Sequence, residues 1–440
     1  MKLIFSSIAT YSLLAGLSAA QPQPRYTIRD LGTLGGTYSV PFGINAAGEV
    51  AGAAATLAQT DGFAATAFLW TKQNGISNLV KDTPLFTACP TCNSGAAAAG
   101  ASGVAIGSEI AALDPNGEDF GQWEGPFLPA THRMTLGFIS KNGVMTQLKN
   151  LPGGNNANVF WMNNLGEVSG VAETDVSDLS CSNVTPFQVR RFKGVVWGPN
   201  GDIERTLEPL QPDWVSYALT INDRGQVVGA SGPCATTGLP PYAINNTIAA
   251  HAVLWDRDGS ITDLGTLGGA ANIAGNINNR GEVVGTSPSF KDGTIHVFKW
   301  TRETGILDAG SFSEAVATVA GCCHTLNDRG GIVGFSIEPD NPPYFGRALI
   351  WQDTEPKDLN DFVGTPSPFV HLLAASSISD AGEIVGWGVT TAGEVHAFLA
   401  TPRNGAAPGE SVVPSLQLIG HPQVESVRKL PVGRFGIRGR

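Results

Sequence analysis

The chain has 440 residues, of which 15% are charged and 55 are glycine, and its formal net charge is −11 at pH 7. The abundance of glycine is typical of many turns between tightly packed strands, not of disorder. The acidic balance, with no basic face to offset it, excludes nucleic acid as a predicted partner.

Residues 1–20 have the pattern of a secretory signal peptide. Lys2 supplies the positive start, Leu3–Leu17 the apolar segment and Ser18–Ala20 the small residues of a cleavage site. The apolar segment is short for a membrane span, so a retained anchor is the less favoured alternative. No other apolar run approaches that length, and we expect a soluble, secreted protein without a membrane span.

An eight-residue motif then occurs six times, at intervals of 118, 59, 56, 49 and 52 residues. A fixed period in this range indicates a repeat architecture. The first interval is twice 59, and a degenerate copy at Gly103–Gly107 keeps the glycine spacing within it. The sequence therefore predicts seven units, and the six complete octets are Asn45–Gly52, Asn163–Gly170, Asn222–Gly229, Asn278–Gly285, Asn327–Gly334 and Ser379–Gly386.

Each unit contains about four short runs of β-branched and aromatic residues, separated by Gly, Asn and Asp, as in strands joined by hairpins. The Asn-x-x-Gly step suits a tight turn, because Asn bonds nearby backbone and Gly adopts a positive φ. No long stretch of the sequence has apolar residues at a helical spacing, so helices should be scarce. The pattern predicts an all-β, seven-bladed β-propeller of four-stranded blades. A parallel β-helix and a sandwich are the alternatives.

The two ends of the repeat region complement each other. Tyr26–Leu31 resembles the last strand of a unit, whereas the seventh unit ends at Phe398-Leu399 without that strand. We therefore predict that residues 26–31 pair with the strand at 395–399 and close the propeller without a large exposed edge. The propeller would span residues 21–402, and a basic tail over 403–440 would be mostly disordered.

Six cysteines in an exported chain are an even number, which favours disulfides. Cys181 and Cys234 follow the same strand in neighbouring units, so their loops should leave on one face and a bridge should join them. Cys89 and Cys92 lie in a long insertion, where a small loop clasp is favoured over a redox motif.

Several residues recur from unit to unit, and we interpret them as structural because catalysis needs an asymmetric constellation. The histidines at one repeat position should bond between neighbouring strands, the tryptophans should form the core, and the acidic or amide residues of the octets should be solvated in turns. These three sets are His251, His296 and His396; Trp70, Trp197, Trp255, Trp300 and Trp351; and Glu49, Glu167, Gln226, Glu282 and Glu383.

Two acidic segments resemble oxygen-rich calcium loops, Asp256–Gly259 with Asp263 and Asp114–Asp119. The equivalent turns of other units are not acidic, so we interpret these segments as hairpin turns. The sequence predicts no metal and no cofactor. It also lacks a nucleophile-elbow, zinc-protease or phosphate-binding motif.

Four insertions interrupt the repeat, at 83–134, 173–192, 231–250 and 338–347. The last three directly follow an octet and should emerge on one face, where loops on a rigid scaffold commonly bind ligands. Phe187 lies in one of them and is a further aromatic candidate for exposure. The predicted binding residues of these insertions are Trp123, Tyr242, Tyr344 and Phe345.

With the octets, the His-Ala-Phe-Leu run at 396–399 and the Asp-Leu-Gly-Thr-Leu-Gly-Gly runs at 30–36 and 263–269, the chain resembles the HAF family of extracellular repeat proteins. The resemblance covers about residues 26–402. The second and third units depart most from it. It implies secretion and a propeller-like fold, and it implies no reaction or catalytic residues.

Two functions remain. We favour a secreted, monomeric binding module that presents its loop face to a glycan, a peptide or a protein. The alternative is a propeller enzyme, an extracellular hydrolase or lyase or a cyclase-like enzyme, with its site in the central funnel. Its candidate catalytic residues are those that break the repeat: His132, His324, His371, Asp119 and Glu124.

Overall fold

Antiparallel strands make up nearly all the regular structure of the chain, as the sequence predicts for an all-β fold. The computed structural model describes residues 25–57, 65–80, 94–100, 103–118, 132–183, 190–234, 250–313, 315–320, 324–338, 346–352 and 354–403. The helical segments in these ranges are single 3-10 turns, such as Leu179–Asn183 and Leu359–Phe362. No helix in the described ranges is long and apolar enough to cross a membrane.

The strands fall into units of four, in which consecutive strands pair antiparallel in chain order. Parallel bridges at Ile295–Ala317 and Tyr38–Val395 join two pairs of units into eight-stranded sheets. Unit 1 contains β2 (Gly35–Ile44), β3 (Val50–Thr56), β4 (Thr66–Thr71) and β5 (Gly75–Asn78). Unit 2 contains β6 (Ser94–Ala99), β7 (Val104–Leu113), β8 (Arg133–Lys141) and β9 (Val144–Gln147). Unit 3 contains β10 (Ala157–Met162), β11 (Val168–Ser177), β12 (Arg190–Trp197) and β13 (Ile203–Leu207).

The second half of the chain repeats this arrangement. Unit 4 contains β14 (Val215–Ile221), β15 (Val227–Gly232), β16 (His251–Trp255) and β17 (Ile261–Asp263). Unit 5 contains β18 (Ile273–Ile277), β19 (Val283–Pro288), β20 (Ile295–Thr301) and β21 (Gly305–Asp308). Unit 6 contains β22 (Ala317–Val319), β23 (Val333–Ile337), β24 (Ala348–Gln352) and β25 (Glu355–Asp358). Unit 7 contains β26 (Phe369–Ile378), β27 (Ile384–Thr390) and β28 (Val395–Pro402).

The fourth strand beside β28 comes from the start of the chain. The strand β1 (Tyr26–Asp30) pairs antiparallel with β28, with Tyr26 opposite Pro402 and Asp30 opposite Phe398. The predicted pairing of the N-terminal strand with the strand at 395–399 is therefore present.

The core lies between neighbouring units. Buried side chains of unit 1 pack on unit 2, and further clusters join each unit to the next along the chain. Another cluster places Val385, Ala397 and Leu399 of unit 7 against Ile44 and Phe68 of unit 1. The recurrent tryptophans are buried in these interfaces, as predicted: Trp70, Trp197, Trp255, Trp300 and Trp351.

The octets form the turns between the first and second strands of each unit. In Asn278–Gly285, the Asn278 side chain accepts from the Arg280 and Glu282 amides and donates to the Asn327 carbonyl of the next unit, 3.0 Å away. The same link to the next turn is made by Asn45, Asn163, Asn222 and Asn327. The motif therefore shapes each turn and also joins neighbouring units.

The octet glycines have two different roles. The first of each pair, such as Gly281, has a positive φ of 84° in the turn, as the sequence predicts. The last, such as Gly285, lies opposite a β-bulge of the first strand, where a Cβ would overlap the Ile273 carbonyl and lie 2.6 Å from the Phe298 ring. The close approach of the backbones thus requires glycine there.

Candidate functional site

The meander topology gives the units two different ends. The octet turns and the hairpins between third and fourth strands form one end, which we call the turn face. The loops between second and third strands, together with the connections between units, form the other end, which we call the insertion face. The sequence insertions at 173–192, 231–250 and 338–347 each connect a second strand to a third strand, and the described ends of those strands lie on this face.

A disulfide ties two insertions together on this face. Cys181 follows β11 and Cys234 follows β15, and the two sulfurs are bonded across a sequence separation of 53 residues. Both side chains are buried in a cluster with Val215, Tyr217 and Phe192. This pairing was predicted from their equivalent positions in neighbouring units, and it is confirmed.

Exposed apolar side chains concentrate on the insertion face. Among the described residues, eight of the eleven large hydrophobic side chains with high exposure lie in its loops or at the adjacent strand ends. Only Val144 and Leu165 lie at the turn face, and Leu307 lies on an outer strand. The eight are Leu57, Leu113, Val176, Leu179, Trp214, Phe290, Val316 and Val370.

Four residues near the disulfide form what we call the Trp214 patch: Val176, Leu179, Arg191 and Trp214. Trp214 is 49% exposed and Leu179 78% exposed. The Arg191 guanidinium lies 4.7 Å from the centre of the Trp214 ring, and its Nε donates to Asp178 at 2.8 Å. These contacts hold an aromatic ring and a cation side by side at the surface, beside two loops that the disulfide restrains.

Sequence reasoning missed Trp214. The signal was present, because Trp214 lies in the connection between units 3 and 4 and outside the recurrent tryptophan position. A tryptophan that breaks the repeat has no place in the repeated core, so it is a candidate for exposure.

The predicted binding residues lie outside the described residues: Trp123, Tyr242, Tyr344 and Phe345. The same holds for Cys89, Cys92, Asp119 and Glu124. Their roles stay predictions.

The three described candidates for catalysis have separate surroundings. His132 Nδ1 lies 2.8 Å from the Gly117 carbonyl in unit 2, and His371 Nε2 lies 3.0 Å from the Gly346 carbonyl beside unit 7. His324 belongs to unit 6 and stacks on Trp161, with ring centres 4.2 Å apart. No contact among the described residues joins these three histidines.

The Trp161 ring fills space where first strands of different units meet. It stacks on His324 of unit 6, and a Cβ at Gly43 of unit 1 would lie 3.0 Å from it. Burial lowers the pKa of His324, against the attraction of Asp380 and Asp328. A neutral, stacked imidazole is therefore part of the packing at this point.

The recurrent histidines each contact an aspartate. His296 Nδ1 lies 2.9 Å from Asp308, and His396 Nδ1 lies 2.9 Å from Asp30 on the neighbouring strand. His251 instead contacts Asp213 in the connection between units. These contacts agree with the structural role predicted for the histidines.

The prediction of solvated octet carboxylates is wrong. Glu167 and Glu383 are buried, and Glu167 accepts from the turn residue Asn163 at 2.7 Å and from Arg257 at 2.9 Å. The same Asn contact is made by Glu49, Gln226 and Glu282. These side chains fold back onto the turn because the Asn side-chain amide donates a hydrogen bond to them. The sequence pattern does not reveal whether the side chain points to the turn or to solvent.

The acidic segment at Asp256 is a hairpin turn, as interpreted from the sequence. The Gly259 amide donates to the Asp256 carbonyl at 3.0 Å, and Asp256 accepts from Gln226 at 2.8 Å. The other acidic segment, which begins at Asp114, differs because Asp114 and Glu118 are buried.

Three carboxylates converge between units 2 and 3. Asp114 and Glu118 come from the turn after β7, Glu173 from β11, and one oxygen of each lies within 4.8 Å of the others. All three residues are buried. Burial raises the pKa of Glu173 to about 8, and a hydrogen bond with the Glu118 carboxyl adds to this effect.

Comparison of the sequence with family models and with curated proteins finds no match. Solved structures similar to the chain include the β-propeller domain of the Trilobed protease from Pyrococcus furiosus, with a TM-score of 0.47 and 9% identity over 86% of this chain and 97% of that one. A gluconolactonase from Xanthomonas campestris has a TM-score of 0.34 and 8% identity, over 71% and 90% of the two chains. Hydrazine synthase of Kuenenia stuttgartiensis has a TM-score of 0.38 and 9% identity, over 83% and 44%. Likeness at this distance carries no functional assignment.

Proposed function

We propose that the chain is a secreted, seven-bladed β-propeller that binds a protein or peptide partner through its insertion face. The observation that carries this proposal is the concentration of exposed apolar side chains on that face, centred on the Trp214 patch. Exposed apolar surface of this kind on a folded domain marks interaction sites.

The ring architecture is supported by the packing of the last unit on the first. The strand β1 completes unit 7 through five residue pairs with β28, and a hydrophobic cluster joins units 7 and 1. Seven four-stranded units packed in chain order, with the last against the first, fit a closed propeller.

The composition of the Trp214 patch favours a protein or peptide over other ligands. Tryptophan and arginine are the residues that most often dominate the energy of protein interfaces. The aromatic ring has little rotamer entropy to lose, and the disulfide reduces the cost of ordering the neighbouring loops. A patch with these properties suits an apolar or aromatic anchor of a partner.

Secretion and membership of the HAF family are parts of this proposal. The Cys181–Cys234 bridge supports an oxidising compartment. The octets and the His-Asp contacts at His296 and His396 supply a structural reason for the motifs on which the resemblance is based.

A peptide-display selection on the full-length protein tests the binding function. We expect selected peptides to lose at least about tenfold in affinity for Trp214→Ala and Leu179→Ser, which corresponds to about 1.4 kcal/mol each. Leu165→Ser is the matched control, because Leu165 is 58% exposed at the turn face.

Thermal unfolding of each variant checks that the fold is retained. Peptides that bind Trp214→Ala and Leu179→Ser as tightly as the parent would contradict the proposal. A glycan array in parallel separates the ligand classes. A glycan that binds the parent and both variants equally, with no peptide selected, would place the binding site elsewhere.

A further inference from the structure

The carboxylates of Asp114, Glu118 and Glu173 are held in place by hydrogen bonds from both units. Asp114 accepts from the Asn116 amide at 2.6 Å, and Glu118 accepts from the Arg190 amide at 2.8 Å. Asn156 Nδ2 donates to both Asp114 at 3.0 Å and Glu173 at 3.2 Å. The three groups are therefore fixed close together before any ligand arrives.

One oxygen of Glu173 accepts no hydrogen bond from an N–H group of the described residues. Its Oε2 accepts from the Asn155 amide at 2.6 Å and from both nitrogens of Asn156 at 3.2 Å. Its Oε1 is fully buried and accepts from no N–H or hydroxyl group of the described residues. The Glu118 carboxyl is the neighbour that can share a proton with Glu173. A buried carboxylate oxygen without a donor is costly unless a proton or a cation occupies the space beside it.

The charges of the site fit a divalent cation. When all three carboxyl groups are ionised they carry a charge of −3, and the Arg190 Nε lies 4.0 Å from Glu118 Oε2. Buried charges in proteins are paired or bind metals.

The ligand atoms select the kind of metal. All three are carboxylate oxygens, which favours a hard cation over zinc or copper. Calcium binds oxygen at 2.3–2.6 Å in flexible geometry, so its ligand atoms lie up to about 5 Å apart. The observed limit of 4.8 Å agrees with that range.

We propose that Asp114, Glu118 and Glu173 bind one calcium ion between units 2 and 3, on the insertion-face side of the fold. The ion joins the turn after β7 to β11, and the Arg190 amide at the start of β12 donates to its ligand Glu118. It thereby fastens the described ends of two insertions, at Glu118 and at Arg190, to the strands. This metal site is independent of the Trp214 patch and of what that patch binds.

Calcium binding is measured on the full-length protein by equilibrium dialysis with metal analysis, after treatment with EDTA. We expect the parent to retain one calcium ion per chain more than Glu173→Gln. Saturation at about 100 times the dissociation constant should raise the melting temperature of the parent by about 3 °C. Magnesium at the same concentration should give a smaller shift.

Glu208→Gln is the control, because Glu208 is an exposed carboxylate whose salt bridge to Lys193 lies away from the cluster. It should bind calcium like the parent. In EDTA, Glu173→Gln should be at least as stable as the parent, since the substitution removes one of three neighbouring like charges. Asp114→Asn and Glu118→Gln provide the same comparison should Glu173→Gln fail to fold.

Three results would overturn the proposal. The first is a parent protein with equal melting temperatures in EDTA and in 5 mM calcium. The second is equal calcium stoichiometry in the parent and in all three cluster variants. The third is binding of magnesium without binding of calcium.

Discussion

Glu109 shows how a single buried carboxyl affects stability. It lies in β7, and its Oε2 is buried without a hydrogen-bond donor among the described residues. Burial raises the pKa of Glu109 to about 7. The folded state therefore holds a proton that the unfolded state releases near pH 4.5. Stability from this group is fully present below that pH and is lost as the pH rises towards 7.

We predict that Glu109→Gln stabilises the protein at pH 8 and has little effect at pH 4.5. The gain at pH 8 should be about 1 kcal/mol, a value reduced for the partial exposure of the group to solvent. Urea unfolding at the two pH values measures the difference, with Glu208→Gln as control. An equal effect of Glu109→Gln at both pH values would show that the proton is not involved.

Single residues were the hardest feature to predict from the sequence. The core tryptophans were identified because recurrence implies packing. The direction of Glu167 was not, since the same turn pattern allows a side chain in solvent or one bonded to Asn163. Asp114 and Glu118 lie close to Glu173 because units 2 and 3 pack together, although Glu118 and Glu173 are 55 residues apart in the sequence. Local sequence spacing does not predict such a contact.

At the scale of elements, the hairpin of the octet depends on a bulge opposite a glycine. The register of β18 against β19 shifts between Ala274 and Asn276, and Gly285 lies opposite Ala274. A bulge brings the two backbones close and bends the bulged strand. The sequence shows the second glycine plainly, but not the bulge that requires it.

We predict that Gly285→Ala destabilises the protein by about 3 kcal/mol or more, because the new methyl group would overlap the Ile273 carbonyl and the Phe298 ring. Gly259→Ala is the matched control. Gly259 has a φ of 87° and open space around it, so only backbone strain of about 1 kcal/mol is expected. Urea denaturation of both variants gives the comparison, and equal losses would show that crowding at Gly285 is relieved.

The disulfide links two elements that the strand ladder leaves separate. We predict that the double variant Cys181→Ser with Cys234→Ser loses about 4 kcal/mol, in the chain-entropy model for a loop of 53 residues. Peptide mapping of the non-reduced parent should recover the linked pair. An unchanged free energy of unfolding in the double variant would mean that the insertions gain no order from the bridge.

At the scale of the whole molecule, the repeat in the sequence predicted most of the architecture. The period identifies the units, and the spare strand at one end matches the missing strand at the other. β1 pairs with β28, and Leu31 N donates to the Ala397 carbonyl at 2.9 Å. The complementarity of the ends identifies the partner strand, and Tyr26 of β1 packs in the cluster with Phe362 and Phe369.

The proposed closure of the ring makes a prediction about the N-terminal strand. Deletion of residues 25–31 removes β1 and also Leu31 and Tyr26 from two interface clusters, so the outer edge of β28 becomes exposed. We expect loss of soluble protein or a large fall in melting temperature, because an unpaired edge promotes aggregation. Deletion of residues 404–440 is the control, since it removes none of the described strands, and it should leave the melting temperature unchanged. A protein without residues 25–31 that is as stable as the parent would show that units 1 and 7 are held by side-chain packing alone, and the proposed closure by the terminal strands would be wrong.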